Sequence, residues 1–192
     1  MLKPVRTVAP AETPVTLAEA KAACRVDFDD DDAVITGLIA AAVDHLDGHA
    51  GVLGGRALVT QTWQQDFPHP CDPLRLAIWP VASVTSVTYY DADNASQTLA
   101  SSVYQLFADA RGNYLGLKPD QDWPSVYDRR DALRVTYVAG AAVNAVPPAA
   151  KTAILMLVAH WYANREAVAD GAKASVPHGF DMLVKPLRRR RV

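Results

Sequence analysis

Cysteine is scarce in this chain of 192 residues: Cys24 and Cys71 stand far apart, with no Cys-x-x-Cys spacing. That argues against a disulfide framework and makes a reducing compartment the default. No apolar run approaches the roughly 20 residues needed to span a bilayer, so no membrane partner is expected. Also missing are a Gly-x-Ser-x-Gly elbow, a Gly-x-x-x-x-Gly-Lys loop and a Gly-x-Gly-x-x-Gly turn, and no Cys/His pair has nucleophile spacing. The start, MLKPVRTVAPAETPV, holds Pro4, Pro10 and Pro14 without an apolar core segment. An extended arm is expected there rather than a signal peptide. No catalytic, cofactor-binding or metal-binding residue is assigned.

Half of the residues are hydrophobic and 21% are charged, ordinary proportions for one globular domain with a real core. The strongest helical signal is Pro147 to Val168, PPAAKTAILMLVAHWYANREAV. Proline in a first helical turn costs little, because those N–H groups have no intrahelical acceptor. Ile154 to Val158 are consecutive apolar residues, so they surround about one and a half turns. With Lys151 before them and His160, Asn164 and Arg165 after, they predict a buried central helix. Two helices precede it. Thr16-Leu17-Ala18-Glu19 fits a capping box that opens Leu17 to about Arg25, with Leu17, Ala20, Ala23 and Cys24 inward. Ala33 to about Ala50 carries Ile35, Leu38, Ile39, Ala42, Val43 and Leu46 at helical spacing. Its Ala40-Ala41-Ala42 run permits close helix approach, and Gly51, Gly54 and Gly55 end it.

Between these helices the texture turns to strands: Leu58–Phe67, Leu74–Ile78, Val84–Tyr90, Gln97–Leu99, Tyr104–Phe107, Tyr114–Leu117 and Ala132–Val138. Strands at such spacing, with no helix between them, predict an antiparallel sheet. The fold class expected is α+β: a small helical bundle built around a central C-terminal helix, with an inserted antiparallel β-sheet region and a flexible C-terminal arm. A single domain, 1–192, would divide into an N-terminal arm (1–14), a helical core (15–56 and 146–168), a β insertion (57–143) and a C-terminal arm (169–192).

Several clusters invite metal chemistry and fail on spacing. An EF-hand loop from Asp27 needs Gly at its sixth place and Glu at its twelfth; Asp32 and Leu38 stand there. The acids from Asp27 to Asp32 read instead as N-cap and first-turn charges of the second helix. His45 and His49 have the HExxH spacing, but Leu46 follows the first and no third ligand is near. His69 and Cys71 are two ligands in a proline-rich loop, too few for a site. His160, Trp161 and Tyr162 point in different directions on a helix, which favours core packing with a satisfied polar tip.

Charge is unevenly spread. Lys185 and Arg188 to Arg191 give five positive charges with no acid in the last eight residues; without them the overall −2 becomes −7. An acidic body and a basic end favour contact with an acidic partner through the tail. Arginine suits paired carboxylates and phosphates alike, so both a protein groove and nucleic acid remain open as its target.

In order, VTLAEAKAACRVD with the acid run, the alanine-rich second helix, TQTW, SVTYYDADNASQTL, Trp123-Pro124, VTYVAG and VPPAAKTAILMLVAHWYANREAV resemble the head–tail connector (adaptor) proteins of long-tailed bacteriophages, prophages and gene transfer agents. The resemblance spans roughly Pro14 to Arg190. It implies a structural virion component, not an enzyme and without cofactors, assembled in the bacterial cytoplasm and placed at the head–tail interface. Such proteins form a homo-oligomeric ring, commonly a dodecamer, that joins the portal protein to a downstream stopper or tail-terminator protein. DNA passes through the channel without specific binding, which the acidic body suits. Under this reading Phe180, Leu183, Lys185, Arg188, Arg189, Arg190 and Arg191 are the expected portal-binding residues, on an arm that orders on contact. Truncation after Ser175 is then expected to leave a folded chain. The alternative is a nucleic-acid-binding accessory protein acting through the arginine tail.

Overall fold

The computed structural model describes residues 2–164 and 178–188. In chain order the elements are β1 (Val5–Val8), α1 (Leu17–Cys24), α2 (Asp32–Leu46), β2 (Gln61–Phe67), β3 (Leu74–Arg75), β4 (Val81–Tyr90), β5 (Ser96–Thr98), β6 (Tyr104–Asp109), β7 (Gly112–Leu117), β8 (Leu133–Ala139), α3 (Pro148–Ala163) and α4 (His178–Val184). Short 3-10 turns, Val143–Ala145 and Lys185–Leu187, precede α3 and follow α4. The class is α+β, with α3 packed against α1, α2 and α4.

The helical layer follows from its sequence signals. Thr16 Oγ1 accepts the Glu19 N–H at 3.2 Å, and Glu19 Oε2 accepts the Thr16 N–H at 2.6 Å, so both halves of the capping box form. Arg25, at φ 58°, ends α1 in the left-handed region. Ala20 is buried, Leu17 and Cys24 are half-buried, and Ala23 is exposed; eight residues present too narrow a face to include it. In α2, Ile35, Ile39, Ala42 and Leu46 are buried, the i, i+4, i+7, i+11 stripe of a helix seated on a core. Of its alanine run only Ala42 lies inside. The helix stops at Leu46, short of the expected Ala50, because Asp47 turns extended and Gly48 takes φ 75°. Ala150, Ala153, Ile154, Leu157 and Val158 bury α3 in the same cluster. The remainder of the expected central helix, including Arg165 and Glu166, lies outside the described residues.

The β region forms two sheets instead of the one expected. The larger has the order β1-β2-β8-β4-β5, the smaller β3-β7-β6, and every pairing is antiparallel. Gln61, Trp63, Gln65 and Phe67 of β2 alternate inward with Leu133, Val135, Tyr137 and Ala139 of β8, the period-two pattern of a sheet with one face covered. Between the sheets Gln65 is fully buried. Its Oε1 accepts the Ala77 N–H at 2.9 Å and the Tyr137 hydroxyl at 3.2 Å, while its Nε2 donates to the Arg75 carbonyl at 3.1 Å. In the Leu74–Ile78 stretch the strand pairing covers Leu74 and Arg75, with one further bond from the Leu76 N–H to the Asn113 carbonyl at 3.1 Å; the Leu76 and Ile78 side chains bury as core plugs. The N-terminal arm also departs from expectation, since Val5–Val8 joins the larger sheet beside β2.

The C-terminal segment differs most. A flexible arm is expected over 169–192, with a short amphipathic turn around Phe180, Leu183 and Val184; residues 178–188 pack on the helical core. Phe180, Val184 and Leu187 belong to its buried cluster, with Leu183 beside them. Loss of this segment would uncover apolar core, so truncation after Ser175 is expected to cost stability.

Candidate assembly surface

Asp47 joins the three parts of the molecule. It follows α2, is 7% exposed, and accepts the Leu58 N–H at 2.6 Å and Gln61 Nε2 at 2.8 Å. Arg6 Nη1 of β1 stands 3.8 Å from Oδ2, the oxygen that also takes the Gln61 bond. Burial pushes the Asp47 carboxyl up from the ordinary 3.8, against the pull of Gln61, Leu58 and Arg6, with Asp44 adding to the push. One carboxylate thus ties the helical layer to the larger sheet and to the N-terminal strand.

A second junction holds the C-terminal segment. Arg56 Nη1 donates to the Leu187 carbonyl at 3.3 Å, and its guanidinium lies 4.5 Å from the Trp79 ring centre. Burial lowers the Arg56 pKa below the ordinary guanidinium value. The Phe180 ring sits 6.2 Å from His45, whose other neighbour is Trp161 at 6.4 Å. Gly179 is the close-approach point: a Cβ there would meet Met156 Cε at 3.3 Å. The outer side of the segment carries Met182, 79% exposed, and the exposed Lys185 and Arg188.

These contacts sort the residues expected to bind a portal. Phe180 and Leu183 face the chain's own core, Lys185 and Arg188 face solvent, and Arg189, Arg190 and Arg191 lie outside the described residues. Arg56, which sequence reasoning did not single out, pins the segment from 131 residues away.

The acidic loop is engaged internally. Lys21 Nζ stands 2.6 Å from Asp29 and 2.7 Å from Asp32, and the Tyr162 hydroxyl donates to Asp31. Asp31, in the N-cap position of α2, makes no side-chain cap hydrogen bond. The expected capping role therefore reduces to Asp32 in the first turn; Asp29 and Asp31 tie the loop to α1 and α3. Tyr162 has its polar tip satisfied. His49 falls beyond α2 in a turn, so it does not share a helix face with His45. Among the described residues no three His, Cys, Asp or Glu side chains gather to hold a metal ion. Among them, too, no helix is long and apolar enough to cross a membrane.

Residues 14–70 match the family model of phage gp6-like head-tail connector protein. The fold is similar to a chain in a solved neck of an empty gene transfer agent (GTA) particle computed with C6 symmetry, with TM-score 0.79, 21% identity, and coverage of 100% of this chain and 97% of that one. A chain in the virion of a native GTA particle is similar at TM-score 0.75 and 22% identity, with the same coverage. One in the neck of a native GTA particle computed with C12 symmetry matches at TM-score 0.67 and 24% identity over 97% of both chains. No curated protein matches. The likeness found by family model and by fold agrees with the resemblance to head–tail connectors read from the residues.

Proposed function

We propose that this chain is a structural subunit of the ring that connects head to tail in a phage-like particle, seated in the neck between the portal and the next connector ring or tail. The observation that carries the reading is the fold likeness to a neck chain over 100% of this chain and 97% of that one. The connector-family match on residues 14–70 supports it independently. The molecule is built for such a place. Two cores locked together at Asp47 make a stiff block, and the acidic remainder of −7 repels the phosphates of passing DNA. No side chain is assigned a covalent step.

The portal contact lies on the basic end. Phe180, Val184 and Leu187 seat the segment, and Lys185, Arg188, Arg189, Arg190 and Arg191 offer charge to an acidic groove on the portal. Phe180 and Leu183 then act by placing these charges and not by entering the partner, a change from the role expected of them. Negative-stain images of the chain mixed with its own portal test the reading: a ring stacked on the portal is expected. Particles assembled without the chain yet keeping their tails would overturn it.

A further inference from the structure

We propose that neighbouring copies join by strand addition, the free edge of β1 in one copy pairing with the uncovered half of β4 in the next. This rests on the ring reading and names its contact surface.

The two ends of the larger sheet are complementary in direction and height. Three successive antiparallel pairings, β1 with β2, β2 with β8 and β8 with β4, leave β1 antiparallel to β4. A second copy set alongside in the same sense therefore offers β1 as an antiparallel partner. Their levels coincide as well. Following the register across the sheet, Val5 lies level with Gln64, Thr136 and Ser86, and Val8 with Thr62, Val138 and Ser83. Beyond β4, β5 pairs only with Thr88 to Tyr90, and Leu99 adds one bond to Val87. Among the described residues no strand covers 83–86 on that side, the height at which β1 of the next copy arrives; the Val81 N–H just before it is taken by Asn113 Oδ1 at 3.0 Å. Nor does any described strand cover the outer edge of β1.

Both edges have the chemistry of surfaces meant to be covered. All four β1 residues are exposed, with Val5 at 57% and Val8 at 56%. On β4, Ala82, Ser83 and Thr85 are exposed, and residues 81–86 carry no charge. Solitary edges are usually guarded by charges; residues 81–86 have none, and Arg6, the one charge within β1, is turned toward Asp47 at 3.8 Å. Thr7, Ala82 and Thr85 are bulge residues without partners in the internal ladder. Such bulges increase local twist, so sheets joined here turn relative to one another. Turning is what a head-to-tail contact needs to close into a ring.

Charge selects the same partner. Residues 2–8 hold Lys3 and Arg6 and no acid; residues 81–99 hold Asp91 and Asp93 and no base. Leu2 donates its N–H to Asp66, which pairs with Arg134, which faces Thr88. Lys3 of the incoming copy thus arrives near the height of Val87, where β5 ends with Thr98 opposite Thr88, at the base of the hairpin whose turn bears both aspartates. Main-chain bonds supply the affinity in such strand additions, and flanking side chains supply the register.

The test is disulfide trapping in the full-length chain with Cys24→Ala and Cys71→Ser. Val8→Cys with Ser83→Cys places thiols opposite each other in the proposed pairing, within disulfide reach. Val8→Cys with Gln97→Cys is the out-of-register control. Oxidation of the first is expected to give a ladder of covalent oligomers on a non-reducing gel; the control stays monomeric, and a mixture of the two single variants stops at dimers. Light scattering on the parent chain separates the possible failures. A defined oligomer with no in-register ladder overturns the strand contact and leaves the ring reading standing. A monomer that gives no ladder even when concentrated also overturns the strand contact, and the ring reading then answers to the portal images. Equal ladders from the control overturn the register.

Discussion

Arg56 and Leu187, 131 residues apart, are joined by a hydrogen bond from guanidinium to carbonyl at 3.3 Å. The bond fixes the last described turn of the chain to the loop leading into β2, with the Trp79 ring stacked on the same cation. A hydrogen bond from a charged donor is worth about 1.5–3 kcal/mol and a cation–π contact about 0.5–1 kcal/mol. Desolvation of a half-buried cation offsets part of this. Arg56→Ala is expected to cost about 1–2 kcal/mol, and Arg56→Lys to restore little, since lysine lacks the planar fork. Hydrogen exchange would show roughly tenfold faster exchange in residues 180–184 for each 1.4 kcal/mol lost, with α1 unaffected.

Removing everything after Ser175 takes away more than charge. Phe180, Val184 and Leu187 each leave a buried position, and burying a side chain of this kind contributes about 1.5–3 kcal/mol. The sum, on the order of 5 kcal/mol, is comparable with the whole stability of many domains. The truncated chain is expected to melt far below the full one or to aggregate. An unchanged melting temperature would show that α4 is not part of the core.

Asp47 should leave a pH signature. Its folded pKa is raised, chiefly by burial, so the native state binds its proton more tightly than the unfolded chain. The site's contribution to stability therefore falls as pH rises from the ordinary carboxylate value of 3.8 through the raised one, and is flat above it. Asp47→Asn removes that slope. It also keeps two hydrogen bonds if Gln61 turns over, because Gln61 Oε1 has no hydrogen-bond partner and then accepts from the new amide. Asp47→Ala leaves the Leu58 N–H without its acceptor and Gln61 Nε2 with the Val59 carbonyl alone, and is expected to cost about 2–3 kcal/mol. Melting curves of the three chains across the acid range, read as differences, check both points.

Local signals in the sequence survived into the fold, and long-range ones were invisible. Thr16 and Glu19 are three residues apart, so their capping box needs no tertiary help. The Ile154 to Val158 run similarly had to be buried whatever packed on it. The acids at Asp29, Asp31 and Asp32 looked like helix caps because nothing nearby in sequence shows that Lys21 and Tyr162 reach them. The VRTV strand hid inside a proline-rich arm: four residues are too few to show alternation, and β2 alone supplies their pairing. Phe180, Leu183 and Val184 had recognisable helical spacing, but the surface they cover is built by α2 and α3. Leu76 and Ile78 alternate like a strand because alternate residues are buried, although the regular ladder ends one bond past Arg75, at the Leu76 N–H.

The smaller sheet carries a titration marker. Arg75 grips Asp109 with two bonds, at 3.1 and 2.7 Å, and holds its carboxyl down at about 2. Because the folded pKa is depressed, whatever the pair contributes is present above 3.8 and lost as pH falls through about 2. Carbon-detected NMR should show the Asp109 carboxyl titrating there. Arg75→Gln should move the midpoint most of the way back, not fully, because the Arg111 N–H still donates to Asp109 at 2.8 Å.

The arginine tail separates a connector from a DNA-binding accessory protein by its salt dependence. Neutralising Z phosphates on duplex DNA makes log K fall with log salt at about −0.9Z, so all five basic side chains of the end would give a slope near about −4.5. An accessory protein should show that slope and still bind DNA at physiological salt. A connector should not, because the −7 carried by the rest of the chain opposes the tail. Its DNA affinity is expected to sit no tighter than the roughly 10⁻⁴–10⁻⁶ M of nonspecific binding. Changing Lys185, Arg188, Arg189, Arg190 and Arg191 to Gln should then abolish portal binding while leaving the melting temperature nearly unchanged, since Lys185 and Arg188 are exposed and the buried Phe180, Val184 and Leu187 remain. Anisotropy titrations with duplex DNA, beside pull-downs on the portal, read both effects on the same protein. Undiminished portal binding by the glutamine variant would remove the tail from the interface.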